Sequence, residues 1–129
     1  MRIEPQFAIF LDNRPGLLAK TCNVLAQAKI SILAMSILDA VDHVVVRMVV
    51  DKPKEAERVL GGMDAMVQRR EVVVMDIPNQ IGTLASLAEK LTEAGINIEY
   101  AYCTTPAGNS SGALVLRTND LEGTINALS

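Results

Sequence analysis

The chain has 129 residues, 50% of them hydrophobic and 21% charged, which suits one folded domain or two small ones and excludes a disordered composition. The formal net charge is −3 with Lys and Arg scattered, so the clustered positive charge that nucleic-acid binding requires is missing. Trp is absent and aromatics are only 3%, so the interior must be built from Val, Ile, Leu, Ala and Met.

No apolar stretch reaches the length needed to span a bilayer, and Met1-Arg-Ile-Glu-Pro has no apolar signal core behind it. A cytoplasmic protein with no membrane contact is the expectation. The two cysteines, Cys22 and Cys103, form no CxxC pair, and one His cannot complete a zinc site with them. Both are expected to be buried small apolar residues, and no metal or other cofactor is expected.

In chain order, residues 7–11 make an apolar run of strand length. A turn with Pro15 and Gly16 follows, then a helix whose apolar face is Leu18, Thr21, Cys22, Leu25 and Ala28. Strands are predicted at 32–38 and 44–50. Pro53 suits the first turn of a helix running to about Leu60, with Asp51 as a candidate cap. Residues 66–70 supply a fourth strand. A new strand at 72–77 leads through Pro78 and Gly82 into a helix with Leu84, Leu87, Ala88, Leu91 and Ala94 on one face, stopped by Gly95. Strands at 98–104 and 113–117 and a helix from near Asp120 complete the chain.

The second half repeats the first. At an offset of 66, eight of the twenty positions 13–32 and 79–98 are identical: Asn13, Gly16, Leu18, Ala19, Leu25, Ala28, Ile30 and Ile32 recur as Asn79, Gly82, Leu84, Ala85, Leu91, Ala94, Ile96 and Ile98. The offset then slips to 68 across a longer loop that follows Thr104. Each repeat reads βαββαβ, a pattern that packs helices on one face of an antiparallel sheet. The domains are expected at 1–70 and 71–129. The second lacks its last strand, so either the sequence is truncated or another segment fills that edge.

In the strands of the first repeat, strict alternation places Ile32, Ala34, Ser36 and Leu38 opposite Leu33, Met35 and Ile37. The face without helices is then too apolar for water, and a second sheet is expected to cover it.

Asp12-Asn-Arg-Pro-Gly-Leu-Leu-Ala followed by a helix and Ala28-Lys-Ile-Ser-Ile resembles the opening of an ACT domain. Pro78-Asn-Gln-Ile-Gly-Thr-Leu-Ala with Ala94-Gly-Ile-Asn-Ile resembles a second. The resemblance implies an α+β fold of two ferredoxin-like units and a regulatory protein without catalysis, its ligand held between domains. That ligand is an amino acid, contacted by Asp12, Asn13, Arg14, Pro15, Gly16 and Leu17, and in the second repeat by Asn79, Gln80, Ile81, Gly82 and Thr83. A homodimer and an enzyme of amino-acid metabolism are the implied protein partners. The sequence departs from the pattern at Ile81, Pro78 and Lys29, which stand where Pro, an acidic residue and Gly are usual.

The turn suits such a ligand chemically. A helix N-terminus offers free N–H groups and partial positive charge to a carboxylate. Gly allows close backbone approach, Asn donates and accepts, Asp12 suits an ammonium and Arg14 a carboxylate. Each residue also has a plain structural role, as a cap or turn former. The alternative function is a structural or oligomerisation module of the same fold. No Ser-His-Asp set and no phosphate-binding glycine loop occurs.

Overall fold

The computed structural model describes residues 1–104 and 110–129. The loop expected to lengthen the second repeat falls on 105–109, outside the described residues. The elements run β1 (Arg2–Asp12), α1 (Leu17–Gln27), β2 (Ile32–Asp39), β3 (His43–Val50), α2 (Pro53–Gly61), β4 (Met66–Pro78), α3 (Thr83–Glu93), β5 (Ile98–Thr104), β6 (Ser111–Thr118) and α4 (Leu121–Leu128). This is the βαββαβ order of two ferredoxin-like units.

Two strands are longer than expected, β1, which begins at Arg2 rather than Phe7, and β4. Residues 66–70 and 72–77 belong to one continuous strand, because no Gly, Pro or Asn stands between Met66 and Ile77 to break it. The chain divides into two compact units, Pro5–Arg70 and Glu71–Ser129 with Met1–Glu4, so both β1 and β4 contribute to each.

In Pro5–Arg70 the strand order is β2-β3-β1-β4. β1 pairs antiparallel with β3, Phe7 opposite Met48 and Leu11 opposite Val44. Alternation puts Phe7, Ile9 and Leu11 on the face of Val46, Met48 and Val50. Leu25 of α1 and Ala56 and Leu60 of α2 close over them, so both helices share that face. Thr21 is fully buried on α1 because its Oγ1 donates to the Leu17 carbonyl at 2.9 Å.

In the other unit the order is β1-β4-β6-β5. Ile3 packs with Val73, Leu91 and Leu116, and Ile98, Leu121, Ile125 and Leu128 surround them. The unit whose own sequence ends in its second helix is thus supplied with residues from the start of β1.

Three expectations need correction. A β-bulge between Ile32 and Ala34 shifts the alternation in β2, so Ile32 pairs with Val50 and stays on the helix side, as do Met35 opposite Met48 and Ile37 opposite Val46. Ala34, Ser36 and Leu38 take the other face. There Val45, Val49, Ala8 and Ala34 are buried and Leu38 is exposed, while Leu33 at the bulge and Met35 and Ile37 on the helix side are exposed as well. Second, Asp51 does not cap α2: its Oδ1 accepts from the Ser31 N–H at 2.8 Å, and Lys52 is the N-cap. Asn119 does the same for Asn97 at 3.0 Å, so this bond belongs to the repeat. Third, Cys103 is exposed and Cys22 only half-buried. Cys103 lies on β5, which among the described residues ends its sheet and pairs with β6.

Candidate functional site

The two β–α turns share two backbone bonds, and the second adds one from the Thr83 N–H to the Gln80 carbonyl at 3.3 Å. Arg14 donates its N–H to the Asp12 carbonyl (2.9 Å), as Gln80 does to Pro78 (3.0 Å). Asn13 donates its backbone N–H to Asp42 (3.1 Å) and Asn79 to Ser110 (2.8 Å). Gly16 and Gly82 are the N-caps of α1 and α3, with φ of 92° and 90°. That left-handed conformation explains why both positions are Gly, since a Cβ at either would meet no atom within 4 Å.

Neither helix has a side-chain cap or an acidic residue in its first turn. Their leading N–H groups are therefore not claimed by a side chain, in contrast to α4, where Asp120 accepts from Gly123 N–H at 2.9 Å. Asn13 is not a cap. Its Nδ2 donates to the Val41 carbonyl at 3.0 Å and lies 3.5 Å from Asp39 Oδ1. Asp39 in turn accepts from the Val41 N–H at 2.9 Å, holding Val41 at φ 70°. Asn13 thus clamps the β2–β3 hairpin.

Two clefts flank the first turn. One, of about 120 Å³, is lined by Phe10, Leu11, Leu17 and Met63 and by four charged side chains, Asp12, Asp64, Arg14 and Lys20. Arg14 Nε and Asp12 Oδ2 are 3.9 Å apart and both side chains are largely exposed. The other, of about 180 Å³, has Asp12, Asn13 and Arg14 beside the aliphatic Leu11, Leu17, Leu18, Ile37, Val44 and Val46. Asp12, Arg14, Leu17 and Leu11 line both.

The structure thus brings Asp12, Arg14 and Leu17 to both clefts and Asn13 to one, while Pro15 and Gly16 shape the turn without lining either. Asn79, Gln80, Ile81, Gly82 and Thr83 line neither these clefts nor the apolar cleft of about 210 Å³ in their own unit, between α3 and β5–β6. That cleft is walled by Leu84, Leu87, Ala88, Leu91, Ile98, Ala101, Leu114 and Leu116. Sequence reasoning missed Lys20, Met63, Asp64 and Ile37. Lys20 had a signal, being three residues beyond Leu17 on one helix face. Asp64 had none, since it reaches the cleft only through the packing of α2.

Among the described residues, no group of three or more His, Cys, Asp or Glu is placed to hold a metal, and no helix is long and apolar enough to cross a membrane.

No curated protein sequence matches this chain. A protein of known structure from Bacteroides thetaiotaomicron is 31% identical, with 98% of this chain and 86% of that one covered and a TM-score of 0.90. The ligand-free regulatory subunit of aspartate kinase from Thermus thermophilus shares the fold at 16% identity, covering 99% of this chain and 95% of that one, TM-score 0.72. The corresponding subunit from Thermus flavus does so at 18% identity, with 98% and 93% covered and a TM-score of 0.64. The family model for an ACT domain pair matches residues 1–128, and the chain belongs to that family.

Proposed function

We propose that this chain is a non-catalytic regulatory protein of the cytoplasm that senses an amino acid at the β1–α1 turn of its first repeat. The observation behind it is the charge around the smaller cleft. Two carboxylates, Asp12 and Asp64, and two cations, Arg14 and Lys20, line one space of about 120 Å³. An ammonium and a carboxylate on one carbon need both signs in one small site, with the uncapped start of α1 beside them. Pro15 and Gly16 hold the turn open to the ligand.

The second candidate site, at Asn79, Gln80, Ile81, Gly82 and Thr83, carries no charged side chain, and we assign it the weaker binding. Each repeat, 1–70 and 71–129, counts as one domain in this scheme. Two chains associate as a homodimer, which the exposed Leu33, Met35, Ile37 and Leu38 on β2 support. An enzyme of amino-acid metabolism reads the ligand-bound state, by a coupling that must be reciprocal. Neither nucleic acid nor membrane takes part.

A thermal-melt screen against the twenty amino acids tests this. A ligand that binds only the folded state, at a hundredfold excess over its Kd, stabilises by about 2.7 kcal/mol. A rise with one amino acid that disappears in Arg14→Ala supports the sensor. No rise with any of them at millimolar concentration sinks it. That outcome promotes the second reading, a structural module, which the clamping role of Asn13 and the backbone role of Gly16 favour.

A further inference from the structure

We infer that the ligand is an amino acid with an uncharged aliphatic side chain; the inference rests on the sensor reading above. The charged cleft and the larger cleft meet at Leu11, Asp12, Arg14 and Leu17, which line both. A ligand anchored there by its ammonium and carboxylate has the larger cleft beside it, and apart from Asp12, Asn13 and Arg14 the lining of that cleft is aliphatic. Leu18 of α1, Ile37 of β2 and Val44 and Val46 of β3 complete its wall.

The β2 bulge is what makes this wall. It places Ile37 opposite Val46 on the helix side, where strict alternation from Ile32 would have turned it away. No charged side chain lines this cleft apart from Asp12 and Arg14, which the anchoring groups of the ligand engage. A lysine, arginine, aspartate or glutamate side chain would enter it without a partner, a costly desolvation. An isobutyl group fits: four carbons, each on the order of water's 30 Å³, leave room in about 180 Å³. Threonine fits by size, but beyond the anchoring groups the cleft offers its hydroxyl only Asn13, whose Nδ2 already donates to Val41, in place of water.

The test is calorimetric titration of the full chain with L-leucine, L-isoleucine, L-valine, L-alanine, L-threonine, L-lysine and L-aspartate. Each methylene buried from water is worth about fourfold in affinity, so at least one branched aliphatic amino acid is expected to bind on the order of tenfold tighter than alanine, and tighter than threonine. Val44→Thr keeps the shape and adds one hydroxyl. It is expected to weaken the aliphatic ligand several-fold and leave alanine unchanged. Preferred binding of lysine, aspartate or threonine would overturn the inference while leaving the sensor reading standing. Binding of none of the seven would overturn the inference, and the twenty-member melt screen decides whether the sensor reading falls with it. Equal weakening of alanine and leucine in Val44→Thr would place the side chain elsewhere and overturn it as well.

Discussion

Lys29 ends α1 with φ 59° at the position where Gly95, φ 71°, ends α3. Both helices close with the same pair of bonds: Lys29 to Ala26 and Ile30 to Leu25, both 3.0 Å, and Gly95 to Thr92 and Ile96 to Leu91, 3.0 and 2.9 Å. A side chain in this conformation costs roughly 1–2 kcal/mol, while Gly adds entropy to the unfolded chain that lowers stability by about 0.4–1 kcal/mol. Lys29→Gly should therefore raise stability by up to about 1 kcal/mol and Gly95→Ala should lower it, both read from urea midpoints. Asn13→Ala removes two hydrogen bonds to the hairpin and should cost about 1–2 kcal/mol with no ligand present. Arg14→Ala, at an exposed side chain, should stay within about 0.5 kcal/mol. If the two variants were equally stable, the clamp would carry no weight and Asn13 would return to the ligand site. The recurrence of Asn13 and Asn79 was legible in the sequence; the clamp that Asn13 makes was not, because Val41 and Asp39 are distant along the chain.

At the scale of the element, the helix faces follow from spacing alone, and the observed cores use Leu25 and Leu91 as the pattern requires. The caps do not follow so simply. An acidic residue precedes α2 and another precedes α4, yet only Asp120 caps its helix, since Asp51 is held by the Ser31 N–H. Asp120→Ala should destabilise by about 1 kcal/mol. A Cβ at Gly123 would collide with the Asp120 carboxylate. Gly123→Ala should then show little of the roughly 1 kcal/mol usually gained by such a change in a helix, because the cap must move aside. Hydrogen exchange across α4 measures both. The bulges between Ile32 and Ala34 and between Ile98 and Tyr100 were not legible, since one extra residue leaves an apolar run looking regular. The first of them decides which face Ile37 takes, and so the lining of the aliphatic cleft.

For the whole molecule, Met1–Glu4 belong with Glu71–Ser129, and Ile3 is their contact with that core. Ile3→Ala should destabilise by roughly 1–2 kcal/mol, at the low end for aliphatic truncation because the side chain is half-buried. Faster exchange should appear first in β4 and β6; its absence there would mean that Ile3 contributes nothing to that core. The amino-acid order by itself determined the repeat, the α+β class and the β–α turns, because hydrophobic period, Gly and Pro act over a few residues. It also marked Asp12 and Arg14 as charges at a helix start. Only the tertiary structure decided that Lys20 and Asp64 join them in one cleft, that β1 serves both units, and that a bulge turns Ile37 to the helix side. Those outcomes depend on pairing between segments far apart in the chain, where register, rather than local preference, places each side chain.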